Sequence, residues 1–211
     1  MARAHRSVVI IGSSLIALLA IAGPARGADA PVQRVRSGPH MIPYVGVSSF
    51  QGSTGKDLNP GFRAGGLGGL HINEMFSVNG ELTLDFLNFG GGGDHSGTEL
   101  DLALSPFVHV PASNIELVFG PKLGAWFGAD RTSVPLPGMS ITTKHSLRGW
   151  LIGLNAGAFL PLSKSVAVGG LLSFVLRSLT NFCQTTNIGA ETCGDTPDAN
   201  KVLAFTLAML F

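Results

Sequence analysis

Acidic and basic side chains recur at alternate positions within several short apolar segments of the chain. In the clearest segment, Glu81 and Asp85 share one parity while Leu82 and Leu84 share the other. Because successive side chains of a β-strand point to opposite faces, one face of such a strand is charged and the other is apolar. The residues predicted on the charged faces are Arg63, Glu81, Asp85, Glu99, Asp101, Glu116, Lys122 and Arg177.

The chemistry open to this set is ion pairing or the binding of cations. Unpaired charge is very costly away from water, so the carboxylates need the basic groups, water or a bound ion as partners. If the apolar faces point outward, the charges meet inside a closed structure. The set then forms either a packed charge network or a narrow path selective for cations.

Patterns for catalysis or metal binding are weak. His71 and His109 lie near predicted turns and His145 lies in a predicted loop, so each is interpreted as a satisfied polar histidine. The glycine tract at residues 90–93 lacks the following Lys and Ser or Thr of a phosphate-binding loop. We therefore predict no catalytic residue, no metal site, no cofactor and no enzymatic activity.

The two cysteines of the chain are Cys183 and Cys193, and both fall in one predicted loop. Two cysteines in one loop of a secreted chain are usually joined. We therefore predict a disulfide between them, which would restrain a loop made largely of small and polar residues.

Composition identifies the kind of structure that must position these groups. Charged residues make up 13% of the chain, against about 25% in ordinary soluble domains. Apolar residues are abundant, yet after the first 27 residues no apolar run is long enough for a helical span. This combination is typical of transmembrane β-barrels. The predicted strands span residues 40–50, 61–72, 78–86, 99–110, 115–128, 147–160, 166–179 and 201–211.

The connections between these strands alternate between long and short. Long, turn-rich loops follow the first, third, fifth and seventh strands, and tight turns follow the second, fourth and sixth. This is the arrangement of an all-β, eight-stranded antiparallel up-and-down transmembrane barrel, here assigned to residues 40–211. Its interior is only wide enough for side chains to fill, which favours the packed charge network over the cation path.

The beginning of the chain carries an export pattern. Arg3 and Arg6 precede an uncharged run of 19 residues, and Ala25 and Gly27 supply small residues for a cleavage site. The run is near the lower limit for a spanning helix, but its small residues favour a signal peptide at residues 1–27. Residues 28–39 are predicted to be a periplasmic leader. The mature chain then has eleven basic and thirteen acidic residues, a net charge of −2, with no indication of a nucleic-acid partner.

Together these patterns resemble the small eight-stranded outer-membrane barrels of the outer-membrane protein A and X type. The segment GFRAGGLGGLHI, the following FSVNGEL and the closing LAFTLAMLF carry the resemblance. It implies location in the bacterial outer membrane, contact with outer-membrane lipid and lipopolysaccharide, and insertion by the outer-membrane assembly machinery. It also implies that Phe211 is part of the signal read by that machinery.

Three functions remain open at this stage. The first is a monomeric, surface-exposed barrel with a structural role and no open pore. The second is a narrow porin, or a transporter that moves small apolar molecules through a side opening. The third is a lipid-modifying enzyme, which is disfavoured because no histidine lies on the predicted strands after residue 146.

Overall fold

The structure is a computed structural model, and it describes residues 38–51, 58–89, 94–137, 139–163, 165–195 and 198–211. The predicted signal peptide and residues 28–37 of the predicted leader lie outside the described residues. No helix in the described part is long and apolar enough to cross a membrane. The strands are β1 Gly38–Gln51, β2 Leu58–His71, β3 Phe76–Phe89, β4 Asp94–Ala112, β5 Ile115–Leu136, β6 Met139–Pro161, β7 Ala167–Thr186, β8 Thr192–Gly194 and β9 Asp198–Leu210.

Eight of these strands close into a barrel. Each long strand pairs antiparallel with its neighbour in the chain from β1 to β7. Strand β9 then pairs with β7 on one side and β1 on the other, which closes the circle. Strand β8 pairs with β7 and is an addition to the circle. The predicted eight-stranded antiparallel up-and-down barrel is confirmed.

Three tight connections lie at one end of the barrel, which we name the short-turn end; the opposite end is the long-loop end. They join β2 to β3, β4 to β5 and β6 to β7. In the first, the side-chain Oδ1 of Asn73 accepts hydrogen bonds from the backbone N–H groups of Met75 and Phe76, at 2.8 and 2.9 Å. In the second, Ser113 adopts a left-handed backbone with φ of 57°, which allows Ala112 and Ile115 to pair directly.

The predicted loop at residues 129–146 is wrong. Strands β5 and β6 continue through it as an unbroken antiparallel ladder up to the pair Leu136 and Met139. Thr132, Val134 and Ile141 are β-branched residues that favour extended backbone. The prolines and glycine that suggested a loop lie only around the tip of this hairpin.

The predicted loop at residues 180–200 is also partly strand. Strand β7 continues to Thr186, and β8 folds back onto its end through pairs that include Phe182 with Gly194. Strands β2 and β4 also begin earlier than predicted at the long-loop end, at Leu58 and Asp94, while β1 begins earlier at the short-turn end, at Gly38. The strand ladders therefore extend further at the long-loop end than the polar sequence there indicates.

The alternation of faces is confirmed where it was predicted. Polar and charged residues such as Arg63, Asp85 and Lys122 are fully buried inside the barrel. The outward positions form an exposed apolar belt around the outside: Met41, Val45, Val47, Phe62, Leu70, Val78, Leu82, Leu84, Phe86, Leu102, Leu104, Leu117, Phe119, Leu123, Phe127, Trp150, Ile152, Leu154, Leu160, Phe174, Leu176, Leu207 and Met209.

Candidate functional site

The interior is organised around a two-pronged ion pair between neighbouring strands. Arg63 on β2 lies directly opposite Asp85 on β3. Its Nε donates to Oδ1 at 2.7 Å and its Nη2 donates to Oδ2 at 2.6 Å. Both side chains are fully buried. Two parallel charge-assisted hydrogen bonds of this kind fix the geometry as well as the charge balance.

A second arginine joins this pair from across the barrel. Arg177 lies on β7, which is not a neighbour of β3 or β4. Its Nη2 donates to Asp85 Oδ2 at 2.8 Å and to Asp101 Oδ1 at 2.7 Å, and its Nη1 donates to Glu99 Oε2. The guanidinium group therefore spans the bore and holds three carboxylates on the opposite wall.

Asp101 connects the two arginines to the interior lysine. Its Oδ2 lies 3.8 Å from Nη2 of Arg63 and 3.5 Å from Nζ of Lys122. Lys122 in turn donates to Oε1 of Glu81 at 2.8 Å. The network therefore runs continuously from the arginines of β2 and β7 to the Glu81 carboxylate on β3.

The carboxylate of Glu81 is also held by neutral donors from several strands. Tyr44 donates to Oε1 at 2.9 Å, Ser105 donates to Oε2 at 2.7 Å and Asn155 donates to Oε2 at 3.1 Å. Ser105 lies on β4, which pairs with β3, but Tyr44 on β1 and Asn155 on β6 lie on strands that do not pair with β3, so their hydrogen bonds link separate parts of the wall. A buried carboxylate satisfied in this way restrains its surroundings.

Apolar side chains fill much of the remaining interior in two clusters. The cluster towards the long-loop end contains Phe50, Trp126, Leu151, Val175, Leu179 and Val202. The guanidinium of Arg177 lies 5.9 Å from the ring of Phe50 and 5.7 Å from that of Trp126. The cluster nearer the short-turn end contains Ile42, Tyr44, Leu67, Phe107, Val118, Phe159, Ala167, Leu171, Ala208 and Leu210.

No family model and no curated protein matches the chain. Solved structures do match it. The match to Neisserial surface protein A covers 82% of this chain and 96% of that protein, with 15% sequence identity and a TM-score of 0.51. A major outer membrane protein of Thermus thermophilus covers 82% and 98% at 12% identity, with a TM-score of 0.56. The attachment invasion locus protein Ail of Yersinia pestis covers 83% and 99% at 16% identity, with a TM-score of 0.50.

The fold is that of the small outer-membrane β-barrels. At these identities the similarity extends to the fold and not to a particular activity. Within this barrel, the structure places all eight residues predicted on the charged faces inside, and seven of them share one network. Glu116 is the exception, because its Oε1 lies 2.6 Å from Nδ1 of His109 in a separate group.

That separate group is a layer of histidines at the short-turn end of the barrel interior. The rings of His40 and His71 have centroids 4.2 Å apart, and those of His71 and His109 lie 4.8 Å apart. His109 Nε2 lies 2.8 Å from the hydroxyl of Ser77. His40 Nε2 lies 2.6 Å from Oδ1 of Asn79. These contacts agree with the interpretation of His109 as a satisfied polar histidine, whereas the contacts described for His71 are the two ring contacts with His40 and His109.

His145 lies on β6 and not in a loop as predicted. Its Nδ1 lies 2.5 Å from Oδ1 of Asp130 on β5, and its ring stacks on Phe182 with centroids 5.2 Å apart. A carboxylate in this position orients an imidazole as in a catalytic dyad. Among the residues that the structure describes, no hydroxyl or thiol forms a hydrogen bond to the other ring nitrogen.

Cys183 and Cys193 form a disulfide, as the sequence predicts. They lie directly opposite each other on β7 and β8, beyond the barrel wall at the long-loop end. Together with Glu191 they are the one group of three converging metal-ligand residues in the described part of the chain. The sulfurs are engaged in the disulfide, so this group does not offer thiolate ligands.

Several interior residues were not found from the sequence. The alternation of apolar and polar residues in β1 is too weak to predict which face His40 and Tyr44 occupy. The alternation of β6 puts Asn155 on the inner face, but its contact with Glu81 depends on how β6 lies against β3 across the bore. Phe211, the predicted assembly signal, exchanges two backbone hydrogen bonds with Met41, at 2.9 and 3.3 Å, at the short-turn end.

Proposed function

We propose that the chain is an integral outer-membrane barrel with a structural, surface-exposed role and a bore that does not conduct ions. One observation carries this proposal. The interior is occupied by an ion-pair network in which Arg177 reaches from one wall to three carboxylates on the other. Removing one partner from such a buried pair costs about 3–5 kcal/mol, so a passing solute would not displace it readily.

The charge count of the network supports a closed bore. Among the described residues, the network joins three buried cations to four buried carboxylates: Arg63, Lys122 and Arg177 with Glu81, Asp85, Glu99 and Asp101. Each cation contacts at least one carboxylate within 3 Å. A pore selective for cations would instead present carboxylates to water along an open path.

The surface supports placement in the outer membrane. The apolar belt gives the barrel an exterior suited to hydrocarbon. Because the paired strands close into a circle, no strand of the barrel wall presents an unpaired backbone edge to the lipid. In this proposal the short-turn end faces the periplasm, and the β5–β6 hairpin and the disulfide-bonded β7–β8 hairpin project outside. Export by a signal peptide and insertion by the assembly machinery through Phe211 belong to the same proposal, as does a monomeric state.

Single-channel recording in planar bilayers tests the closed bore. The refolded barrel should show no conductance steps. The double variant Arg63→Ser/Asp85→Ser should show them. It removes a guanidinium group and its partner carboxylate together, so it makes space in the network without leaving either of the two groups unpaired. Correct folding of both proteins would be established by their altered gel mobility before and after boiling. Steady ion conductance by the unmodified barrel would contradict the proposal.

The transporter alternative depends on a side opening in the wall. The outer face has a recess of about 540 Å³ lined in part by Gly66, Gly68 and Gly80. The β2–β3 ladder beneath it is continuous from Phe62 to His71. The recess is therefore the space left above glycines, which have no side chain, on a wall whose strand pairing is unbroken. The enzyme alternative has less support, because no side-chain hydroxyl or thiol among the described residues is hydrogen-bonded to His145 of the Asp130–His145 pair. We propose a non-enzymatic role.

A further inference from the structure

Three histidines form a continuous stack inside the short-turn end of the barrel, and we name them the histidine layer. They are His40 on β1, His71 on β2 and His109 on β4. The ring centroids of His40 and His71 lie 4.2 Å apart, and those of His71 and His109 lie 4.8 Å apart. A free histidine titrates near pH 6.5, so the charge of such a stack depends on the acidity around it.

The hydrogen bonds of His109 allow it to carry a proton. Its Nδ1 lies 2.6 Å from Oε1 of Glu116, and its Nε2 lies 2.8 Å from the hydroxyl oxygen of Ser77. A charged imidazole donates from both ring nitrogens, and here each nitrogen faces an oxygen that can accept. The carboxylate of Glu116 also balances the positive charge. The layer can therefore hold one proton at His109.

The hydrogen bonds of His40 fix it in the uncharged form. The amide nitrogen of Asn79 donates to the backbone oxygen of Ser105 at 2.8 Å and to the hydroxyl oxygen of Ser77 at 3.2 Å. Its Oδ1 therefore faces the ring of His40, whose Nε2 lies 2.6 Å away and must carry the hydrogen. His40 Nδ1 is buried and has no hydrogen-bond partner among the described residues. A proton added there would become a buried donor without an acceptor, which is costly.

The surroundings of the layer offer one carboxylate to balance its charge. This carboxylate is Glu116, while Glu74 in the nearby turn and the C-terminal Phe211 are exposed to solvent. The next carboxylate along the bore, Glu81, is already paired with Lys122. Strand β3 contributes neutral hydroxyl and amide groups to the layer. The inner positions of β6, β7 and β9 at this end are apolar: Phe159, Ala167, Leu171, Ala208 and Leu210.

We propose that the histidine layer is an acid-sensitive closure of the short-turn end of the bore. Near neutral pH the layer holds at most one proton, at His109 beside Glu116. A second proton at His71 would lie on a ring 4.8 Å from the charged ring of His109, and a second proton at His40 would lack an acceptor. Acid pH therefore separates the rings and loosens this end of the barrel. The inference goes beyond the proposed structural role, because it gives the closed bore a response to acidity.

The pH dependence of unfolding follows from the number of protons that the layer binds. In the unfolded chain all three histidines bind protons below about pH 6.5, whereas the folded layer binds one. The layer therefore does not oppose folding above that pH, and it opposes folding increasingly as the pH falls. Each proton changes the unfolding equilibrium constant about tenfold per pH unit. Two protons should raise this constant by up to about a hundredfold between about pH 6 and pH 5.

Urea unfolding of the refolded full barrel in phosphatidylcholine vesicles, followed by tryptophan fluorescence at several pH values, tests the inference. The variant His40→Gln/His71→Gln keeps the pair of His109 and Glu116 and removes both sites for a second proton. Its unfolding constant should lack the hundredfold increase, and His71→Gln alone should show an increase of about tenfold. His145→Gln is the matched control, because it removes a histidine at the long-loop end and should leave the hundredfold increase in place.

Hydrogen exchange of the unmodified barrel locates the effect without any substitution. After correction for the intrinsic exchange rate, backbone amides of residues 69–79 should exchange faster at pH 5 than at pH 7, and those of residues 81–87 should not change. Gel mobility before and after boiling establishes that each variant is folded at neutral pH. Equal acid sensitivity of the unmodified barrel and the double variant would overturn the inference. So would unchanged exchange at residues 69–79, or an unfolding constant that stays constant between pH 6 and pH 5.

Discussion

Arg177 on β7 and Asp85 on β3 form a buried ion pair of 2.8 Å across the bore, although 92 residues separate them in the chain. Asp85 is at the same time the two-pronged partner of Arg63 on the neighbouring strand. One carboxylate therefore serves two guanidinium groups, one along the wall and one from the opposite wall. This arrangement makes Asp85 the most sensitive position of the network.

Asp85→Leu should lower the free energy of unfolding of the barrel by about 3–5 kcal/mol, because it leaves Arg63 buried without its main acceptor. Urea unfolding in lipid vesicles, followed by tryptophan fluorescence, measures this change. The double variant Arg63→Met/Asp85→Leu should recover part of the lost stability, because it also removes the Arg63 charge that Asp85→Leu alone would leave buried without its main acceptor. The outward variant Thr98→Val should match the unmodified protein. An Asp85→Leu barrel as stable as the unmodified one would refute the structural role of the network.

Gly149→Ala should prevent efficient folding. A Cβ atom at this position would lie 1.8 Å from the carbonyl oxygen of Ser178 and 2.7 Å from Nε1 of Trp126. The same indole donates a hydrogen bond to that carbonyl at 3.1 Å, so the added methyl group collides with a contact between β5 and β7.

Gly68→Ala is the matched control, because an added Cβ there meets nothing within 4 Å. The measurement is the fraction of refolded protein with altered gel mobility when unboiled. We expect a large loss of this fraction for Gly149→Ala and none for Gly68→Ala. Similar folded fractions for the two variants would show that the close approach at β6 is not limiting.

Reduction of the Cys183–Cys193 disulfide should loosen the β7–β8 hairpin and leave the barrel folded. The cross-link closes a short loop, so its contribution to stability is at most about 3 kcal/mol, and the interior packing lies elsewhere. A protease specific for glutamate should cleave at the exposed Glu191 faster after reduction, with the heat-dependent gel shift retained. The variant Cys183→Ser/Cys193→Ser should behave like the reduced protein. Loss of the gel shift on reduction would show that the disulfide supports the barrel itself.

Full-length protein expressed in a Gram-negative host should fractionate with the outer membrane. The apolar belt is the physical reason, since it would otherwise expose a continuous apolar surface to water. Sedimentation of membranes followed by density separation measures this distribution, and the folded form should migrate differently before and after boiling. Recovery of the mature chain in the soluble periplasm would contradict the proposed location.

Much of the barrel could be predicted from local patterns. Alternation of apolar and polar residues identified β3, β4, β5 and β7 and their outward faces, because a strand has a strict period of two. The tight connections followed from short polar segments such as Asn73 to Met75. The extent of the strands at the long-loop end was not predictable in this way. There Thr132 and Thr142 lie next to other polar residues, so the sequence has no alternation of apolar and polar positions. Pairing in the ladder, rather than burial of one face, keeps this backbone extended.

The sequence by itself determined that Arg63, Glu81, Asp85, Glu99, Asp101, Glu116, Lys122 and Arg177 share the inner side of the strands. It also determined the cysteine pair, since only Cys183 and Cys193 are present. Only the tertiary structure decided which charges meet. Arg177 contacts Asp85 and Glu99 because closure of the barrel brings β7 opposite β3 and β4, and strand tilt sets the level at which each side chain enters the bore. Those distances depend on the register of every ladder around the circle, which no local pattern in the chain contains.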